Sequence, residues 1–349
     1  MSAQGITLPY QASSFNLTVS FRFLLSLYAI VPVCVVLQLL DRWVFNHALH
    51  DMLPSSPSHF LLFQILFGTP HIIASNLLLF SHADYVSYFK NKLIGMTLFI
   101  IVFFGVGSLF IPYRALYIIT ACWTVYHVLK QQHGIAKAVC RLPNWAFYLQ
   151  LWLSVSAGIF IYLGIFLKNS LTPQQAELVL QISSMLTMVL IASTFVCQKF
   201  VPSRFGWYFL WANTLLVVAS CYVYSQQYYF LAILMPRLVH DITAFSFYVS
   251  HDVNRHSQHA DNGLFKLTSR CHLPAALVLP LLSLLLTYLL QAYGDDLVNL
   301  VLQTLFSTQI YKAVTLGVIG YLALMHYYTE SFVWAAGSPL RRYIRFSGF

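Results

Sequence analysis

Apolar residues run along this chain in stretches without the polar interruption every few positions that a solvated helix face imposes. The stretches are about 20 residues long, the length that crosses a hydrocarbon core of about 30 Å. The pattern predicts ten helical spans, over residues 21–41, 59–81, 93–111, 115–138, 146–167, 178–197, 207–225, 228–252, 273–292 and 311–334. Segment 298–308 is apolar but too short to cross, so an interfacial or re-entrant helix is expected there. The longest polar connections are 42–58 and 253–272, and the second follows on the run HDVNRHSQH that begins at His251.

Composition places these runs in a bilayer: 59% of the 349 residues are hydrophobic and 8% are charged, more apolar surface than a soluble core can hide. An all-α polytopic transmembrane bundle is expected, with residues 1–349 as a single integral membrane domain. There is no low-complexity tract, no clear internal repeat and no polar stretch long enough to fold alone. The N-terminal MSAQGITLPYQASSFNLTVS lacks a basic region followed by an apolar stretch and a cleavage site, so the first helix is expected to direct insertion.

The formal charge of +9 would suit nucleic acid, but there is no basic stripe and no nucleic-acid partner is expected. Topology explains the excess better. Thirteen basic residues fall on the N-terminal side of the membrane (Arg22, Lys90, Lys92, Lys137, Arg141, Lys199, Arg204, Arg255, Lys266, Arg270, Arg341, Arg342, Arg345) and four on the other (Arg42, Arg114, Lys168, Lys312). That bias predicts an even number of spans with both termini cytoplasmic. The six cysteines lie mostly within or at the ends of apolar segments, with no CxxC or CxxCH, so disulfides, a thiolate zinc site and covalent haem are not expected.

Four spans carry ionisable groups that are expensive at bilayer depth unless paired, ligated or wetted. The second has FGTPHIIASN, with His71 near its centre behind Pro70. The fourth has YHVLKQQHG, with His127 and His133. The eighth has His240 and Asp241 near mid-depth and His251 and His256 at its cytoplasmic end; the tenth has His326 and Glu330 one turn apart.

Helical phase limits which of these can meet. His127 and Gln131 share a face, whereas His133 is rotated by about 120° from His127. His240 and His251 share a face but stand about 16 Å apart along the axis, too far for one ion. Asp252, His256 and His259 follow i, i+4, i+7 spacing, and His251 and His256 need a bulge or a helix end to converge. Arg237 and Asp241, four apart, read as an internal ion pair. His47, His50, His59, His82, His259 and His272 fall in loops or at helix ends and read as solvated or interfacial. One intramembrane histidine is explained equally well by a hydrogen bond to a neighbouring helix. Imidazoles on several helices favour a metal. His71, His127, His251 and His256 form the candidate ligand set, with His133 and His240 as further ligands or outer-shell groups. Gln131, Gln132, Asp241 and Asp252 would orient imidazole N–H groups.

An all-imidazole site suits iron, copper or zinc. The stretch from Pro236 to His256, with Phe245, Phe247 and Tyr248 before His251 and then Arg255-His256, resembles the Pro…Phe…Tyr…HSxRH segment of the bacterial Brp/Blh family of membrane β-carotene 15,15′-dioxygenases. Pro70-His71 resembles that family's early Pro-His. His127 falls at about the distance of its His-x-Gly helix, the glycine here being Gly134 after His133. The resemblance implies non-haem iron (Fe2+) on His71, His127, His251 and His256, oxygen-dependent chemistry in carotenoid or lipid metabolism, and a place in a bacterial inner membrane. The HxxxH and HxxHH boxes of the classical desaturases are absent.

The expected function is therefore a membrane-embedded non-haem iron oxygenase acting on an apolar isoprenoid or lipid, with Phe and Leu residues between the helices lining a substrate tunnel. Two rivals stay open. One is a transporter or channel in which histidines, Asp241 and Arg237 line a proton or metal path, although no paired repeats support it. The other is a haem protein with axial histidines such as His127 and His251.

Overall fold

Backbone surrounded by hydrocarbon must satisfy its own N–H and C=O groups, so apolar runs of spanning length become helices. They do so in the computed structural model, which describes residues 17–55, 68–256, 273–310, 314–335 and 337–347. The helices are α1 (Phe21–Trp43, with a 3-10 turn at Leu27–Ala29), the short α2 (Ala48–Met52), α3 (Thr69–Phe80), α4 (Ala83–Ile100), α5 (Tyr113–Cys140) and α6 (Asn144–Phe166). They continue with α7 (Pro173–Cys197), α8 (Arg204–Ser225), α9 (Tyr229–His256), α10 (Ala275–Phe306) and α11 (Gly320–Val333). The only strands among the described residues are β1 (Thr18–Ser20) and β2 (Arg345–Ser347), paired in parallel.

Local chemistry sets the helix ends. Pro112, Pro143 and Pro274 stand just before α5, α6 and α10, where extended backbone leads into the first turn. Thr172 and Gln175 form a reciprocal capping box at α7, whose first residue is Pro173, and the Ser203 hydroxyl accepts from the Gly206 amide at α8. Arg141, in the left-handed region at φ 52°, closes α5.

Among the described residues seven helices are long and apolar enough to cross a membrane: α1, α4 extended to Leu109, α6, α7 extended to Phe200, α8, α9 and α10. Helices α3, α5 and α11 fall outside that set. In its described part α3 has 12 residues, α11 has 14, and α5 is long but interrupted by His127, Lys130, Gln131, Gln132, His133 and Lys137. Residues 59–67 of the expected second span lie outside the described residues.

One expectation is corrected. Segment 298–308 is not a separate interfacial helix, because α10 runs unbroken for 32 residues to Phe306. Gly294, Asp295 and Asp296 resemble a helix end in sequence, yet the helix continues through them and Gly294 and Asp295 meet Val314. Asp295 accepts from the Val314 amide at 2.7 Å, and the Asn299 side chain exchanges hydrogen bonds with the Ile310 backbone. Gly294 has no Cβ for a reason: one placed there would stand 3.0 Å from the Val314 methyls.

The packing centres on α9, which touches α1, α3, α5, α8 and α10 and buries most of its length; α11 packs against α3, α4 and α5. The lower end of α9 ties the chain ends together. Asn254 donates to the carbonyls of Leu17 and Tyr343 and accepts from the Leu17 amide, so β1 and β2 meet beside it on one face of the molecule.

Candidate metal centre

Four helices each bring one histidine to a single point. His71 lies in the described first turn of α3, His127 midway along α5, His240 one turn beyond Pro236 in α9, and His326 midway along α11. Arg237 pins this arrangement. Its Nη2 donates to the Gly68 carbonyl at 2.9 Å, joining α9 to the residue before α3. His71, His240 and His326 have no exposed surface and His127 has 7%.

The four imidazoles form a closed ring of neighbours. Centroid distances are 5.0 Å for His71–His240, 4.9 Å for His240–His127, 4.7 Å for His127–His326 and 4.8 Å for His326–His71, with adjacent rings steeply inclined to each other. One ligand nitrogen from each lies within 4.8 Å of all the others. Two nitrogens on one ion, with bonds of about 2.1 Å, stand about 3.0–4.2 Å apart. The widest pairs therefore need to close by only a few tenths of an ångström at each ring, and the group can hold a metal ion.

The unsatisfied atoms agree with that use. Neither ring nitrogen of His240 has a hydrogen-bond partner among the described residues, nor has Nδ1 of His326. A buried polar atom left unpaired costs about 1–3 kcal/mol, so a hydrogen-bonded core is a poor explanation for His240. Asp241 Oδ1 lies 3.2 Å from His71 Nδ1 and 3.3 Å from Arg237 Nε, which makes the i, i+4 ion pair real and places a carboxylate behind one imidazole. This leaves His71 Nε2 facing His326 Nε2 at 3.2 Å. Glu330 Oε2 stands 3.5 Å from His127 Nε2, while Oε1 accepts from Tyr248 Oη and from Trp334 Nε1.

Of the six histidines singled out from sequence, the structure brings together His71, His127 and His240, and the fourth member is His326. His251 and His256 are elsewhere because α9 is a regular helix from Tyr229 to His256. The eleven residues from His240 to His251 span about 16 Å, and no bulge turns His256 toward His251. His251 instead accepts from or donates to Tyr85 Oη at 2.8 Å through Nε2 and meets Asp252 Oδ1 at 3.0 Å through Nδ1. The same separation removes His127 and His251 as an axial pair for one haem. His133 is buried but outside the group, as its rotation from His127 requires.

The remaining polar candidates divide. Gln132 accepts from Tyr28 Oη and Gln131 accepts from Gln132, so neither glutamine side chain orients a cluster imidazole through those bonds. His82 is buried, not solvated: its ring stacks on His256 with centroids 5.5 Å apart, and Nδ1 lies 3.0 Å from the Leu78 carbonyl. His47 is exposed and His50 partly so. His59, His259 and His272 lie outside the described residues, and with them the third member of the Asp252, His256, His259 spacing.

A cavity of about 620 Å3 reaches this centre, with His127 and Glu330 in its wall and Phe21, Trp123, Tyr126, Phe247 and Trp334 among its lining. A second, of about 300 Å3, lies against Thr69, Tyr162, Arg237 and Tyr327. Of the four histidines only His127 lines one of these chambers; His71, His240 and His326 are fully buried behind it. In comparisons with family models, curated proteins and solved structures, nothing matches this chain.

Proposed function

We propose that this protein is a membrane-embedded, non-haem iron oxygenase acting on an apolar isoprenoid or lipid, with the metal on His71, His127, His240 and His326. The observation that carries the reading is the four-imidazole group itself, buried, with both nitrogens of His240 unpartnered and an aromatic cavity alongside. Neutral imidazoles without thiolates suit iron, copper or zinc. The likeness of the Pro70-His71 and Pro236–His256 stretches to the Brp/Blh dioxygenases favours iron and oxygenase chemistry, with a ligand set changed from the one that likeness implies.

Bound ferrous iron would supply oxygen activation. The chain's own groups do the rest. Asp241, 3.2 Å from His71 Nδ1, is placed to hold that ring, the arrangement that fixes a ligand's tautomer and orientation. Glu330, held by Tyr248 and Trp334, is placed to do the same for His127 or to take a proton at the cavity wall. The aromatic lining admits an apolar substrate and limits water.

The same reading places the chain in a bacterial inner membrane with ten crossings and both ends cytoplasmic. The thirteen-to-four basic bias supports it, as does the pairing of β1 with β2 on one face.

Metal analysis with an absorption spectrum of purified protein tests the assignment. Stoichiometric iron without a Soret band is expected. A Soret band, zinc as the resident metal, or no metal at all would contradict it, since zinc has no redox chemistry to offer.

A further inference from the structure

The large cavity is not chemically uniform. Its lining is mostly aromatic and aliphatic, but Lys130 and Arg341 also face it, and Glu330 is the only carboxylate among its lining residues. Glu330 is committed to Tyr248, Trp334 and His127. Among the described residues neither cation has a carboxylate within ion-pair distance. Lys130 Nζ lies 5.1 Å above the Tyr126 ring, and the Arg341 guanidinium 4.8 Å from the Phe346 centroid with one N–H on the Ile344 carbonyl. Both are left with donors to spare. Lys130 follows His127 by three residues, about 4.5 Å of helix rise, so its charge stands close to the proposed centre.

We propose that this cavity binds an amphiphile whose anionic head group pairs with Lys130 and Arg341 while its apolar body lies along Phe21, Trp123, Tyr126, Phe247 and Trp334. A neutral hydrocarbon would leave two unpaired cations facing an apolar chamber, an arrangement that costs free energy and gains no recognition. A carboxylate or phosphate supplies the charge-assisted partner both cations lack. The ligand's role as substrate rests on the oxygenase reading, but its binding needs no metal, so the two fail separately.

The test uses the full chain in nanodiscs of zwitterionic lipid, titrated with a fluorescent polyene fatty acid and with the alcohol of the same chain. Wild type should bind the acid about tenfold more tightly or better, and Lys130→Gln and Arg341→Gln should each lose that preference while keeping affinity for the alcohol. Lys130→Arg should retain it. Displacement of the acid by a lysophosphatidic acid at lower concentration than by unlabelled fatty acid assigns the head to a phosphate, and the reverse order to a carboxylate; either sustains the proposal. Equal affinity for acid and alcohol in wild type, an unchanged preference in Lys130→Gln, or binding of neither probe would overturn it. Metal content, read on the same samples, reports the histidine centre independently.

Discussion

His71 and His326, 255 positions apart in the chain, point their Nε2 atoms at each other across 3.2 Å. By itself that is the geometry of an N–H···N hydrogen bond. Two things make it an edge of a group that can hold a metal ion. Nδ1 of His71 already faces the Asp241 carboxylate, and His127 and His240 complete the ring, with neither nitrogen of His240 hydrogen-bonded among the described residues.

The carboxylate behind His71 carries the first prediction. Asp241→Asn should fold and keep all four histidines, but its affinity for metal should fall about 10–100-fold, as loss of such outer partners does. Chelator competition on purified protein measures this. Unchanged affinity would mean that Asp241 serves only Arg237.

Two lessons about legibility meet here. The membrane class and most helix positions could be read from apolar run length, because hydrocarbon leaves the backbone no alternative to helix. So could His71, His127 and His240 as candidates, because ionisable groups at mid-depth demand explanation. What periodicity gives is the face of each helix, not which turn of one helix meets which turn of another. Family likeness gives weight to His251 and His256, and in sequence His326 pairs only with Glu330. Depth is the signal that separates them: the sequence puts His71 and His240 near mid-span and His251 and His256 at a span's end, and in the structure His127, His240 and His326 lie midway along their helices. The unbroken α10 is hidden for another reason, since Gly294-Asp295-Asp296 looks like a terminus until the Ile310 and Val314 amides are seen to bond to Asn299 and Asp295.

A second prediction concerns acid. Burial holds the His82 ring below its usual value, with the nearby Arg255 charge acting the same way against the Leu78 hydrogen bond. The folded state thus resists a proton that the unfolded chain accepts near pH 6.5. His82 contributes fully above that pH and its contribution declines as pH falls toward the lowered folded value. Between pH 7 and 5, wild type should lose more thermal stability than His82→Gln. Parallel losses would contradict this.

Topology gives a third. Reporter fusions placed after Phe349 and within residues 42–58 should report opposite sides of the membrane, with the C-terminal fusion cytoplasmic. Both fusions on one side would remove the ten-span arrangement.

The most direct measurement compares His240→Ala with His251→Ala for bound metal in folded, purified protein. The two residues sit on one helix, both buried, His240 in the cluster midway along α9 and His251 near its C-terminal end with Tyr85 and Asp252 as partners. His240→Ala should lose its metal, since four imidazoles are reduced to three around a misshapen site, and His251→Ala should retain it. Full metal in His240→Ala, or equal loss in both variants, would show that the four histidines are a packed polar core and not a metal centre.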